Sequence, residues 1–254
     1  MRIFAPTPGA LQRGFDFLSG GSRVVSLVGG GGKSTLMYFL AQTCARQGRR
    51  VLVTTTTNIF QPHTSVHARW EGEILSMWEQ GSIAVIGTPI PGKDKFQAPD
   101  PELLAWAMER ADVTFVEADG SKHCPIKVPR EGEPVILPEC DAVLAVMGLS
   151  AIGKPLKEAA FRVPDVTRFL AVEEDHILTE EDAARILSSG FGGRKGVADR
   201  KFCVVLNQCD DGPRRRSANL IAAYLERYDV HSVVMTAFDP HERKAFNQMA
   251  GVKE

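Results

Sequence analysis

Residues 24–35 read Val-Val-Ser-Leu-Val-Gly-Gly-Gly-Gly-Lys-Ser-Thr. An apolar run, four glycines and then Lys33-Ser34-Thr35 is the layout of a phosphate-binding loop. A strand delivers the chain, and glycines let successive backbone N–H groups converge on phosphate oxygens. The helix that follows begins at the anion, so its first amides and its dipole add attraction. On this reading Gly29, Gly30, Gly31 and Gly32 cradle the phosphates. Lys33 reaches the β- and γ-phosphates, Ser34 binds Mg2+, and Thr35 completes the nucleotide-binding set. Lys33, at a helix start, is expected to face solvent when no ligand is bound. The plainer alternative is a glycine-rich turn before an ordinary helix. The β-like run in front and Leu36-Met37-Tyr38-Phe39-Leu40 behind argue against it.

The strict spacing G-x-x-x-x-G-K-[ST] is not met, because Leu27 stands where its first glycine belongs. The compact form K-G-G-x-G-K-[ST] of dimerising ATPases and metallochaperone GTPases fits better. Even there, Val28 replaces the first lysine.

Composition bounds the rest. The chain has 254 residues, 44% of them apolar, with 30 basic residues against 31 acidic ones. That near balance argues against a surface built for nucleic acid. No run approaches the length of a membrane span, and Met1-Arg-Ile-Phe-Ala-Pro6 lacks a signal-peptide core. Cys44, Cys124, Cys140, Cys203 and Cys209 are odd in number and form no C-x-x-C pair. They read as reduced thiols, so a cytoplasmic protein is expected, with neither nucleic acid nor membrane as partner.

Strand-like and helix-like stretches alternate. Strands are expected at 23–28, 50–56, 83–87, 113–117, 142–147, 201–206 and 232–236. Helices are expected at 33–47, 101–111, 156–161, 166–171, 179–189, 214–227 and 240–249. Residues 58–75, 88–100 and 188–196 read as loops by their Pro, Gly and Ser content. Alternation of this kind implies an α/β fold: a P-loop NTPase-like three-layer sandwich with a mostly parallel central sheet. One nucleotide-binding domain is expected over 1–254, with insertions at about 58–100 and 120–165.

Ligands of open α/β sheets bind beyond the carboxyl ends of the strands. Three strand ends matter. Thr54-Thr55-Thr56-Thr57 suits a buried strand, and equally a loop that senses the Mg2+ shell or γ-phosphate. Val113-Thr-Phe-Val-Glu117-Ala-Asp119 places two carboxylates beside the phosphate loop, as a Walker B-like site requires. Asp119 is expected to hold the metal, with Glu117 in its outer shell or orienting water, although the order can reverse. Lys122 follows as a cation for transition-state charge, so Lys33, Glu117, Asp119 and Lys122 form the candidate catalytic set and Ser34, Asp119 and Glu117 the metal set. Asn207-Gln-Cys-Asp210 closes another strand in the Asn-x-x-Asp pattern that reads guanine, with Gln208 where lysine is usual. Asp210 would accept from guanine N1–H and N2–H2, Asn207 would brace the loop, and the backbone of Ala237 would meet O6. A loop Asn and Asp after a core strand is the equally weighted alternative, and adenine stays open. His63 and His67 have no third donor beside them, so zinc is not expected there. Cys124 lies just past the carboxylates, but ordinary packing outweighs a chemical role for it.

Glu117-Ala-Asp-Gly-Ser-Lys122, Pro125-Ile-Lys-Val-Pro129 and Gly148-Leu-Ser-Ala-Ile-Gly-Lys-Pro155, taken with the glycine loop, the threonine run and Asn207–Asp210, resemble the YqeC-like family. The resemblance covers nearly the whole chain, in this order. Members are regarded as P-loop NTPase-like accessory proteins of selenium-dependent molybdenum hydroxylases. It therefore implies ATP or GTP with Mg2+, and as partners an apo molybdenum hydroxylase or the proteins that mature its cofactor. No role for Cys124 is carried over.

Two kinds of function follow. One is an NTPase whose hydrolysis drives cofactor maturation. The other is a nucleotide-gated chaperone or docking module with little turnover. A small-molecule kinase is a third reading, with an acceptor pocket under 148–165 that would use Lys154, Arg162 and Asp165.

Overall fold

The structure is a computed structural model that describes Phe15, Gly21 and residues 23–251. Its elements run β1 (Val24–Gly29), α1 (Lys33–Arg46), β2 (Val51–Thr55), β3 (Ile59–Phe60), α2 (Glu71–Glu79), β4 (Ala84–Val85), β5 (Thr88–Pro89), β6 (Lys95–Gln97), α3 (Pro101–Arg110) and β7 (Val113–Glu117). There follow β8 (Ile126–Lys127), β9 (Ala142–Gly148), α4 (Leu156–Ala159), β10 (Ala160–Phe161), α5 (Val163–Leu170), α6 (Glu180–Ser188), β11 (Lys201–Asn207), α7 (Gly212–Arg227), β12 (Val233–Met235) and α8 (Pro240–Met249).

Seven strands form the central sheet in the order β12-β11-β9-β1-β7-β2-β4, and every neighbouring pair is parallel. These are the seven strands expected from the sequence. Strands buried on both faces read as near-continuous apolar runs, which is why they were legible. Alternate residues serve opposite faces. Val25, Leu27, Leu144 and Val205 pack with Leu36 and Leu40 of α1 and Phe246 of α8. Val28, Val143, Val204 and Leu206 pack with Ile186 of α6 and Ile221 and Leu225 of α7. Toward the β4 edge, Leu52 and Ala84 meet Ile74 and Trp78 of α2 and Ala107 of α3. The result is the three-layer α/β, P-loop NTPase-like fold.

The departures are local. Residues 58–75 are not all loop, because α2 starts at Glu71; its inward residues, Ile74 and Trp78, are four apart and cover the sheet edge. Residues 88–100 hold β5 and β6, which pair antiparallel with each other and with β3 in a small three-stranded sheet. The helix expected over 156–161 stops at Ala159, because Ala160 and Phe161 pair in parallel with Ile126 and Lys127. The helix expected from 166 begins at Val163, with Pro164 in its first turn, a position proline tolerates.

Helix starts differ in one respect that matters below. Asp100, Thr179, Asp211 and Asp239 close the N-termini of α3, α6, α7 and α8, each accepting from backbone N–H groups. Helix α1 has no such cap. Its first flanking residue is Gly32, in the left-handed region with φ 101°, and no side chain closes the turn.

Candidate nucleotide-binding site

The chain leaves β1 at Gly29 and enters α1 at Lys33, as the glycine run requires. The loop is clamped from outside by three backbone donors. Gly29 N–H points at both oxygens of Asp119, each 3.0 Å away. Gly30 N–H donates to Val146 O at 2.8 Å and Gly31 N–H to Cys124 O at 3.1 Å. At Gly31, with φ 70°, a Cβ would lie 2.0 Å from the backbone nitrogen of Gly148; no side chain fits. The next four N–H groups, of Gly32, Lys33, Ser34 and Thr35, meet no acceptor among the described residues. An uncapped helix start with four open donors is an anion site in the making.

These donors open onto a cleft of about 650 Å³ along the carboxyl edge of the sheet. Its floor is Gly31 to Thr35. On the β7–β2 side lie Glu117, Thr57, Phe60 and Lys122. On the β11–β12 side lie Asn207, Gln208, Asp210 and Phe238.

Lys33 does not face solvent. It is 4% exposed, with its ammonium 2.7 Å from Gly29 O, 3.2 Å from Asp119 Oδ1 and 3.8 Å from Glu117 Oε1. Two buried carboxylates and a carbonyl hold it, which the sequence spacing did not disclose. Ser34 Oγ donates to Glu117 Oε2 at 2.8 Å. Burial pushes the Glu117 carboxyl above its ordinary range, opposed by the Lys33 charge and the Ser34 hydroxyl. Burial, and secondarily the Glu117 charge, likewise raises the Tyr38 phenol on α1.

Asp119 was expected to be first for the metal. It is 2% exposed and sits behind the loop, engaged with Gly29 N–H, Lys33 and, at 3.2 Å, Lys127. Glu117, not Asp119, is the carboxylate that meets Ser34 and the cleft. A hydroxyl and a carboxylate side by side are oxygen donors of the kind Mg2+ takes in nucleotide sites, where it keeps waters and shares phosphate oxygens.

The threonines divide. Thr54 donates to Ile86 O and Thr55 to Glu117 O, so both tie the sheet together; Thr57 lines the cleft. Asn207 Nδ2 donates to Gly31 O at 2.8 Å, while its Oδ1 accepts from Thr236 Oγ1 at 2.9 Å. Its side chain therefore braces the phosphate loop itself. Asp210 lines the cleft and accepts from Arg214 at 3.0 Å. Ala237, just past β12, is half-buried and is not among the residues lining the cleft. Lys122 lines it, its Nζ 5.8 Å over the Phe161 ring. Thr35 Oγ1 donates to Asn247 of α8 at 2.8 Å. Cys124 contributes its carbonyl to the loop, and burial pushes its thiol up, away from reactivity. His63 bonds Ser65, and the His67 ring packs on Phe96. Of the acceptor residues considered for a kinase, Arg162 lines the cleft, whereas Lys154 and Asp165 do not.

Sequence reasoning missed the ion network behind Asp119. Lys127, 3% exposed, bonds Asp119, Gly120 O and Glu133 Oε2, and Glu133 takes a two-pronged pair from Arg162 at 2.8 and 3.0 Å. Burial raises the Glu133 carboxyl, but the bonds from Arg162 and Lys127 outweigh it and hold it at about 2. An internal lysine in Pro125-Ile-Lys127-Val-Pro129 was the available signal.

A family model described as YqeC protein matches residues 25–164. The chain belongs to that family. It is similar to "Uncharacterized protein YqeC" of Escherichia coli (strain K12), 28% identical over 233 residues, covering 86% of this chain and 88% of that one. Among solved structures it is similar to the MinC:MinD cell division protein complex of Aquifex aeolicus (14% identity, TM-score 0.47, 90% of this chain and 86% of that chain). It is also similar to HypB from Helicobacter pylori in complex with nickel (8%, 0.37, 94% and 89%). A nucleotide-binding protein from Archaeoglobus fulgidus in complex with ADP is similar at 12%, 0.40, 98% and 93%. At these scores the likenesses add nothing to the topology described above.

Proposed function

We propose that this member of the YqeC family binds a nucleoside triphosphate with Mg2+ and hydrolyses it while serving the maturation of a selenium-dependent molybdenum hydroxylase or its cofactor. One observation carries the nucleotide reading: four open N–H donors at the uncapped start of α1, directly over Lys33 and the Ser34–Glu117 pair. Ser34 and Glu117 would hold the metal together with phosphate oxygens; bound there, Mg2+ supplies charge neutralisation on the β- and γ-phosphates. Lys33 exchanges part of its carboxylate contact for phosphate, and the loop N–H groups hold the remaining charge. The hydroxylase role comes from family resemblance alone.

A second reading is favoured by a specific feature. The carboxylates lining the cleft are Glu117, Glu133 and Asp210. Glu133 is bound by Lys127 and Arg162, and Asp210 by Arg214. With Glu117 on the metal side, no other cleft carboxylate among the described residues is left to orient an attacking water. That supports a nucleotide-gated docking module with slow intrinsic turnover. Phosphate release from ATP and GTP by the purified protein, with and without Mg2+ and an apo molybdenum hydroxylase, separates the two. Turnover by the protein alone supports the NTPase. Tight binding with turnover that appears only with the hydroxylase supports the gated module. No nucleotide binding at all rejects both.

A further inference from the structure

The two halves of the cleft differ in their lining. The phosphate loop sits at β1, in the middle of the sheet. If the base reaches toward Asp210, as the guanine reading has it, the half over β7 and β2 lies beyond the γ-phosphate. That half is built from Lys122-His123, β3, β6 and β10. The Phe60 ring packs on the His123 ring, centroids 5.3 Å apart, with Lys95 Nζ 4.7 Å over its centre. Phe161 carries Lys122 and, at 4.5 Å, the Arg162 guanidinium. Two aromatic rings thus flank the Lys122-His123 pair, each accompanied by cations.

Charge points the same way. Over the whole cleft six Lys and Arg side chains stand against three carboxylates. In this half the one lining carboxylate besides Glu117 is Glu133, already shared among Lys127, Arg130 and Arg162. Lys95 and Lys122 have no carboxylate partner among the described residues. Left-handed backbone is commoner here, at three positions against one, Gln208 (φ 66°), in the other half. Lys122 (φ 46°), His123 (φ 65°) and Arg162 (φ 56°) all occupy the left-handed region that residues with a side chain avoid, and all three line the cleft. Such outliers persist where the surroundings enforce them, commonly at ligand sites.

We propose that this half of the cleft is a second binding site, for a small anionic molecule with a flat ring, a phosphorylated heteroaromatic compound, held beside the triphosphate. A flat ring stacks on Phe60 or Phe161 in exchange for the cation now over that ring, and the cation turns to the phosphate. Lys95 and Lys122, which no carboxylate among the described residues holds, neutralise the phosphate, beside Arg162 on Glu133. The inference rests on the nucleotide reading only for the division of the cleft.

The test uses the whole chain saturated with Mg2+ and a non-hydrolysable triphosphate, whose own affinity is measured first. Riboflavin 5′-phosphate and phenyl phosphate are then titrated, with riboflavin and inorganic phosphate as single-feature controls. Both ring phosphates bind the loaded protein, and each control binds at least about tenfold more weakly, because it lacks the ring or the charge. Lys95→Glu and Phe60→Ala each weaken riboflavin 5′-phosphate by at least about tenfold, while triphosphate affinity stays within about twofold. Failure of both ring phosphates to bind a protein that does bind triphosphate overturns the second site. So does their displacement by triphosphate, or indifference to both substitutions. Binding of ring phosphates by a protein that binds no triphosphate overturns the nucleotide reading instead.

Discussion

Both carboxylate oxygens of Asp119 lie 3.0 Å from the backbone nitrogen of Gly29, the residue at which the sheet hands over to the phosphate loop. The same carboxylate pairs with Lys33 at one oxygen and Lys127 at the other. Asp119 therefore holds the entry to the loop and aligns two lysines, and its chemistry faces away from the cleft.

Asp119→Asn should act through the fold. An amide loses both ion pairs and, in either orientation, turns its N–H2 group toward Gly29 N–H and one of the two lysines. Removing one partner of a buried charge pair costs about 3–5 kcal/mol. Denaturant unfolding should show a loss of that size, and calorimetry should show nucleotide affinity falling equally with and without Mg2+. A loss confined to the Mg2+ complex would return the metal to Asp119.

Glu117→Gln should do the reverse. The amide oxygen still accepts from Ser34, so the loop keeps its shape, and burying a neutral group relieves the desolvation that raises this carboxyl. Mg2+-nucleotide affinity should fall at least about tenfold with metal-free nucleotide little changed. Equal effects on both would place Glu117 outside the metal site.

The base is tested by competition between GTP and ATP. If Asp210 reads guanine, GTP binds more tightly, and Asp210→Asn narrows the gap by roughly 1–3 kcal/mol, by analogy with base-edge readout. The wild-type carboxylate would face adenine N1, an acceptor, with no donor between them. Arg214, which now bonds Asp210, has to share it with the base. Preference for ATP, or an undiminished gap in the variant, makes the loop a strand terminus held by α7.

Glu133 gives a pH signature. Its carboxyl is held down from 4.5 to about 2, so the group carries more protons unfolded than folded as the medium turns acid. Its contribution to stability is whole above 4.5 and is lost as pH falls toward 2. Unfolding midpoints of wild type and Glu133→Gln should differ most at about pH 6, draw together as pH falls from 4.5, and meet only below about 2. A constant difference across that range would show that the Lys127 and Arg162 contacts do not stabilise the ionised form.

Sequence and structure agree where a residue's role is set by neighbours along the chain. The buried strands announce themselves as apolar runs, and the cap at Thr179 was visible as Thr followed by acids. Ser34 and the glycines needed only their order. The roles of Glu117 and Asp119 are different in kind. Two residues apart at a strand end, they are divided by the turn of the chain after Glu117, which carries Asp119 behind the loop. The Lys127–Glu133–Arg162 network has the same origin: its partners are 6 and 29 residues apart, and only the pairing of β8 with β10 brings them together. Helix α2 was hidden because Pro62 and two histidines precede a short amphipathic stretch.

The most direct test of the central claim is calorimetric titration of wild type and Lys33→Ala with Mg2+ and a triphosphate, each protein checked by thermal unfolding, because the variant leaves Asp119 and Glu117 without their shared cation. Wild type should bind, and a folded variant should lose at least about tenfold, the worth of a charge-assisted phosphate contact. Wild type that binds no triphosphate, or a folded variant with unchanged affinity, would contradict it.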